Sequence, residues 1–194
     1  MEAIFSFFAV NFDLPILDWI AGNLRCAFLD FWMPIITLLG DAGIFWIITA
    51  VVLLIFPKYR KAGLAMGAAL LMGLVVCNIT LKPLMARPRP YDFVLENYGQ
   101  NIQLLIAAQH DFSFPSGHTL ASFEAATALL LHQKRLGIAA MILAVIIAFT
   151  RLYLYVHYPT DVLFSVGLGV AFGFLGKWLV GKGYDAYDLR KAKH

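Results

Sequence analysis

The sequence predicts an all-α, polytopic membrane helix bundle, and three observations carry that prediction. Of 194 residues, 61% are hydrophobic and only 14% are charged, more apolar surface than a water-soluble domain of this length can hide, though not more than a bilayer can cover. The apolar residues fall in runs of about 20, the length needed to cross a hydrocarbon core. The basic residues gather in the gaps between alternate runs.

Taken in order, residues 1–34 hold Phe5, Phe7, Phe8, Val10, Leu14, Ile16, Leu17, Trp19 and Ile20, interrupted by Asn11, Asp13, Pro15 and Asp18. An interrupted, acid-bearing stretch of this kind reads as an N-terminal amphipathic helix in the interface, with a sixth span as the alternative. No basic residue precedes the first apolar run and no small-residue cleavage site follows it, so a removable signal peptide is not expected. Five firm transmembrane helices follow, over 35–56, 62–81, 116–133, 136–155 and 162–180. The third of these begins at a Pro-Ser-Gly turn. Lys58, Arg60 and Lys61, then Lys134 and Arg135, then Lys177, Lys182, Arg190, Lys191 and Lys193 fall on one side if the five spans alternate. The positive-inside rule makes that side the cytoplasm. Trp19, Trp32, Trp46 and Trp178 read as interface belt or lipid-facing packing. Cys26 and Cys77 lie at an interface and within a span, and neither a disulfide nor redox chemistry is expected of them. No repeat, low-complexity tract or linker divides the chain, so a single domain over 1–194 is expected. The lipid bilayer of the plasma membrane is its expected environment, and no nucleic-acid partner is expected.

Lys82, Arg87, Arg89 and Arg151 fall on the opposite face, against the topological bias. Three separate stretches deliver Lys82, Arg89, Ser116, His118, Arg151, His157 and Asp161 to that face. The chemistry these residue types allow is specific. Arginine holds phosphate oxygens in a bidentate fork. The amides of Ser116, Gly117 and His118 at a helix start form a ready anion site, and Gly117 allows close backbone approach. Of two histidines, one attacks phosphorus as the neutral base and the other protonates the leaving oxygen. Asp161 lies four residues after His157, one helical turn away, where it can fix the imidazole tautomer and stabilise the imidazolium. His157 is therefore the candidate nucleophile and His118 the candidate acid.

Lys82 followed by six residues and Arg89-Pro90, then Pro115-Ser116-Gly117-His118, then Arg151 with His157 and Asp161 make three ordered motifs. In these the chain resembles the type 2 phosphatidic acid phosphatase family of lipid phosphate phosphatases, whose site is shared with vanadium haloperoxidases. Thr150 stands where that family usually has serine. The resemblance implies a bundle of about six helices that hydrolyses a lipid phosphate through a phosphohistidine intermediate, with no metal and no cofactor. It assigns His157 as nucleophile, Asp161 as its orienter and His118 as general acid. Lys82, Arg89, Ser116, Gly117 and Arg151 would hold the phosphoryl group. Within the family, compact chains often act on undecaprenyl pyrophosphate at the extracytoplasmic face. Phosphatidylglycerophosphate or phosphatidic acid is the alternative substrate, and a vanadate-type haloperoxidase or a lipid transporter are remoter readings.

Other polar residues fall outside the motifs. Asp41, Glu124 and Asn78 lie in or near spans, where an ionisable or polar group is a functional suspect. All three read as polar support for the site rather than as participants, with Asn78 one turn before Lys82. Arg87 is outside the motif spacing, and a solvated or headgroup-contacting role is as good a reading as substrate binding. His110 and His132 have no expected catalytic role. Between Tyr91 and Phe114, the apolar residues Ile102, Leu104, Leu105 and Ile106 suggest a short helix resting on the bilayer or a simple cap.

Overall fold

The computed structural model describes residues 2–191, with Glu2 and Arg190 described by their backbone alone; Lys193 of the basic tail lies outside the described residues. Helix α1 (Glu2–Phe8) passes through one wide π turn at Ala9–Asp13 into α2 (Leu14–Asn23). Helix α3 (Ala27–Thr37) leads through a 3-10 segment at Leu38–Gly43 into α4 (Ile44–Ile55). Helix α5 (Arg60–Gly73) widens into a π stretch at Leu74–Leu81 and ends in α6 (Lys82–Met85). Then come α7 (Pro90–Tyr98), an irregular segment over 99–116, α8 (Gly117–Leu130), α9 (Lys134–Tyr153) and α10 (Pro159–Lys191). No strand occurs among the described residues.

Among the described residues, five helical stretches are long and apolar enough to cross a membrane: Ala3–Asn23, Ala27–Ile55, Pro57–Tyr98, Lys134–Tyr153 and Pro159–Leu189. The protein is thus a multi-pass, all-α membrane protein. The structure decides one detail that the sequence reading left open and changes another. The N-terminal stretch, read there as an interfacial helix or a sixth span, is one of these long helices. The span expected over 116–133 forms only the 14-residue α8. Its residues Thr119, Leu120 and Ser122 through Leu129 are all buried, because α5, α9 and α10 surround it. A helix sheathed by protein on every side meets no lipid, so bilayer thickness places no demand on its length.

Small residues make this central packing possible. Ala62, Ala65 and Ala69 of α5 and Ala125, Ala126 and Ala128 of α8 are buried. On α10, a Cβ added at Gly176 would lie 2.5 Å from the Ala65 carbonyl oxygen, and one at Gly173 would lie 2.5 Å from Thr127 Cβ. In lipid, where apolar burial does not drive helices together, such close backbone approach is the main source of helix–helix attraction. Trp46 departs from the expected belt: it is buried in this core and its indole N–H donates to Ser122 Oγ at 3.0 Å. Trp19, Trp32 and Trp178 do face outward.

The outer segment also differs. The helix forms earlier than expected, at α7, and Gly99 in the left-handed region (φ 66°) ends it. Ile102, Leu104, Leu105 and Ile106 are irregular and pack onto a cluster built from α2, α7 and the turn at 153–158. Burial against these neighbours satisfies the apolar side chains without a helix.

Candidate functional site

Three backbone devices aim the polar residues at one region. After α6, Ala86 takes a left-handed conformation (φ 44°) that turns the chain, so that Arg87 and Arg89 are buried while Pro88 between them is exposed. Between α9 and α10, Tyr155 is also left-handed (φ 61°), and this tight turn carries His157 inward. In the break between α3 and α4, Asp41 is extended (ψ 122°) and Ala42 and Gly43 are left-handed (φ 49° and 67°). A non-glycine residue held there is strained by about 1–3 kcal/mol, and the result is a carboxylate presented toward α8.

His157 is 1% exposed. Its Nε2 lies 3.2 Å from Arg89 Nη1, which also donates to the Val156 carbonyl at 2.8 Å. Its Nδ1 lies 3.6 Å from Asp161 Oδ2 and 3.5 Å from Ser113 Oγ. Burial, and then the charges of Arg89, Arg151 and Lys82, push the His157 pKa well below its ordinary value, with Asp111 acting weakly the other way. The imidazole is therefore neutral at physiological pH, as a nitrogen nucleophile must be. Asp161 is fully buried and heavily bonded: Ser113 Oγ donates to it at 2.5 Å, the Tyr158 amide at 3.1 Å, and Arg87 Nη1 at 2.5 Å.

Arg87 corrects the sequence reading. It is 2% exposed, neither solvated nor at a headgroup surface. It bridges Asp161 and Asp13, the latter at 2.7 Å, and stacks at 3.7 Å over the Tyr158 ring. Asp13 in turn accepts from the Thr160 amide at 2.9 Å and from its hydroxyl at 2.8 Å. Asp18 accepts from Tyr155 Oη at 2.7 Å, and Asp30 from Tyr153 Oη at 2.6 Å. The acids of the N-terminal region are thus ties that pin the turn carrying His157. Sequence reasoning missed this role, although an acid in an apolar helix was the available signal.

Asp111, which carries no motif signal, bridges Lys82 and Arg89 with its two carboxylate oxygens. Burial works to raise its pKa, but the hydrogen bonds and charges of Lys82 and Arg89 outweigh that and hold it at about 2. The Arg89 guanidinium also donates through Nε to the Asp111 carbonyl at 2.9 Å. Lys82, Arg89, His157 and Asp161 are thereby joined in one network through Asp111 and Ser113.

The remaining candidates divide. His118 Nε2 lies 2.7 Å from Asp41 Oδ1, and a Cβ added at Gly40 would lie 2.5 Å from the His118 ring, so that glycine leaves room for the imidazole. Arg151, buried in α9, donates through Nη1 to Thr37 Oγ1 at 2.6 Å, while its Nε has no partner. Ser116 is fully buried, and its amide donates to Ser165 Oγ at 2.9 Å. This corrects the expectation that the amides of Ser116, Gly117 and His118 together form an anion site, since the first is committed inside the protein. Asn78 is directed at Gly117, its Oδ1 being 3.3 Å from where a Cβ at that glycine would stand. Glu124 is not in the network. It is buried against Gly73 with one carboxyl oxygen unpaired.

Asp41, Lys82, Asp111 and His118 line one end of a cavity of about 820 Å³ whose opposite end reaches Ala50, Leu54 and Leu64 of α4 and α5. Cations beside a neutral imidazole, a second imidazole with a carboxylate, and an adjoining apolar channel form an arrangement suited to an amphiphilic anion.

The chain is similar to several known proteins. The chain is 36% identical over 135 residues to an undecaprenyl-diphosphatase of Sulfolobus acidocaldarius, covering 69% of this chain and 59% of that protein. It is 31% identical over 116 residues to an undecaprenyl-diphosphatase of Bacillus subtilis, covering 60% and 56%. It thus spans less than two thirds of the length of these curated relatives. Among solved structures, a transmembrane PAP2 type phosphatidylglycerolphosphate phosphatase from Bacillus subtilis superposes with a TM-score of 0.64 at 26% identity, covering 94% of this chain and 88% of that one. The sequence profile of the PAP2 superfamily matches residues 62–184, a stretch that holds all three motifs. The chain belongs to the PAP2 superfamily.

Proposed function

We propose that this protein hydrolyses a lipid phosphate or pyrophosphate through a phosphohistidine on His157, and that its substrate is undecaprenyl diphosphate, whose phosphoanhydride bond is cleaved to give undecaprenyl phosphate and inorganic phosphate. The observation that carries this reading is the placement of His157. Its Nε2 is beside the Arg89 guanidinium and its Nδ1 side is toward Asp161. The ring is neutral, and its cationic surroundings suit a phosphoryl group.

In the first step the Nε2 lone pair of His157 attacks the terminal phosphorus. The bond from phosphorus to the bridging oxygen breaks, and His118 supplies a proton to that oxygen. Asp161 stabilises the positive charge on the imidazole. In the second step His118 takes a proton from water, the water oxygen attacks phosphorus, and the P–N bond breaks to release phosphate and neutral His157. Lys82, Arg89 and Arg151 hold the phosphoryl oxygens. Arg151 suits that task because its buried Nε has no partner and its Nη1 has only a neutral hydroxyl. Gly117 and Ser116 shape the wall beside them, with Asp41 and Asn78 behind His118 and Gly117. The apolar end of the cavity accommodates the lipid tail.

The names of the two curated relatives favour a polyprenyl diphosphate, and the likeness to the phosphatidylglycerolphosphate phosphatase favours a glycerolipid phosphate as the second reading. The placement of basic residues argues for a site on the extracytoplasmic face of the plasma membrane. The test is phosphate release in detergent from polyprenyl diphosphates, phosphatidylglycerophosphate and phosphatidic acid, with His157→Ala and His118→Ala alongside. We expect fastest release from the diphosphate, none with His157→Ala, and a loss of about a hundredfold or more with His118→Ala. Undiminished release by His157→Ala overturns the mechanism, and preference for a glycerolipid phosphate overturns the substrate. Bromide oxidation in the presence of vanadate and hydrogen peroxide, without phosphate release, would replace both with peroxidase chemistry.

A further inference from the structure

A cationic phosphate site has a problem of its own: the better it holds the reacting phosphoryl group, the more slowly inorganic phosphate leaves. The free site here already contains an anion. One carboxylate, Asp111, engages both Lys82 and Arg89, although it belongs to none of the three motifs and is itself about half exposed, at 53%. Two charge-assisted contacts from one carboxylate are the same interactions that a phosphoryl group would make with the same two cations.

We propose that Asp111 is a resident anion that competes with phosphate for Lys82 and Arg89, so that substrate must displace it and its return helps to expel the inorganic phosphate formed. This rests on reading the site as a phosphate site, as above.

The surroundings allow the exchange to be confined to a side chain. The backbone near Asp111 is tied down: its carbonyl accepts from Arg89 Nε, the Ser113 amide donates to the Arg87 carbonyl at 2.8 Å, and the Gln109 amide donates to Tyr91 Oη at 3.0 Å. Arg89 is fixed too, by the carbonyls of Asp111 and Val156. Only the contacts of Arg89 Nη2 and Lys82 Nζ with the carboxylate need to change partner. The carboxylate lines the open cavity and is about half exposed, so water can solvate it once it is displaced. With a pKa held at about 2, it remains an anion throughout the working pH range, so the competition does not switch off as pH varies.

The alternative role for Asp111 is a strut that holds Lys82 and Arg89 in position. The two roles predict opposite signs. A competitor, once neutralised, leaves phosphate binding tighter; a strut, once removed, leaves it weaker. The experiment is calorimetric titration of inorganic phosphate and of orthovanadate into detergent-purified wild type, Asp111→Asn and Asp111→Ala, with a thermal melt of each as a folding control. We expect at least tenfold tighter binding of both anions to the two variants, together with a lower KM and no gain in kcat. Equal or weaker binding to a folded variant overturns the inference and leaves the proposed function standing. Absence of phosphate binding to every form, wild type included, overturns this inference and the phosphate-site reading together. A wild type that binds phosphate but hydrolyses no polyprenyl diphosphate overturns only the substrate assignment, because the titration needs no lipid.

Discussion

Arg87 and Asp13 show how single residues change meaning once their partners are known. Each is a charge in an apolar setting, and together with Asp161 they form a buried triad beneath His157. Removing one partner of a buried ion pair strands the other at a cost of about 3–5 kcal/mol. Arg87→Ala, which strands two carboxylates, should therefore lower the thermal midpoint in detergent sharply, and the double variant Arg87→Ala with Asp13→Asn should recover part of the loss. A double variant no more stable than the single one would mean that the two residues are not coupled. At this scale the motif residues were legible in the sequence because their spacing is local: Asp161 follows His157 by one turn, and Ser116 through His118 are contiguous. Asp111, Ser113 and Thr37 were not legible. They are ordinary polar residues until folding places Asp111 on two cations, Ser113 on Asp161, and Thr37 on Arg151.

At the scale of elements, the break between α3 and α4 brings Asp41 to His118. The sequence reading ran a continuous span through the downstream part of this region, since Leu38, Leu39, Ile44 and Phe45 sustain the apolar pattern. The extended Asp41 and the left-handed pair Ala42 and Gly43 interrupt the helix. Gly40 belongs to the same device. A methyl group at this position would meet His118 Cδ2 at 2.5 Å and Ile147 Cγ2 at 3.0 Å. Gly40→Ala should push the imidazole off Asp41 and lower kcat by roughly tenfold to a hundredfold, a part of the contribution usual for a general acid. KM should change little. The loss should shrink for a substrate whose leaving group needs no proton. A uniform loss across leaving groups would place the damage elsewhere. Helix α8 teaches a related lesson: hydropathy identified its apolar character, but its burial by α5, α9 and α10 explains how a helix of 14 residues can serve at the centre of a membrane bundle.

For the whole molecule, orientation in the membrane follows from charge. Lys58, Arg60, Lys61, Lys134 and Arg135 should face the cytoplasm, and the segment over 99–116 the exterior. In a Cys26→Ser background, Cys77 being buried, Lys134→Cys should resist a membrane-impermeant maleimide in intact cells, and Gln100→Cys should react with it. The reverse pattern would move the site to the cytoplasmic face. Fold class, family and the motif residues could be read from the sequence alone, because hydropathy, charge bias and short-range spacing are properties of contiguous residues. Tertiary structure alone decided which carboxylate serves which cation or imidazole. Asp13 meets Thr160 across 147 positions and Asp41 meets His118 across 77, and such pairs exist only after helices distant in the chain have packed together; where the packing also buries them, as with Arg87 and Asp13, a charge left without its partner is costly.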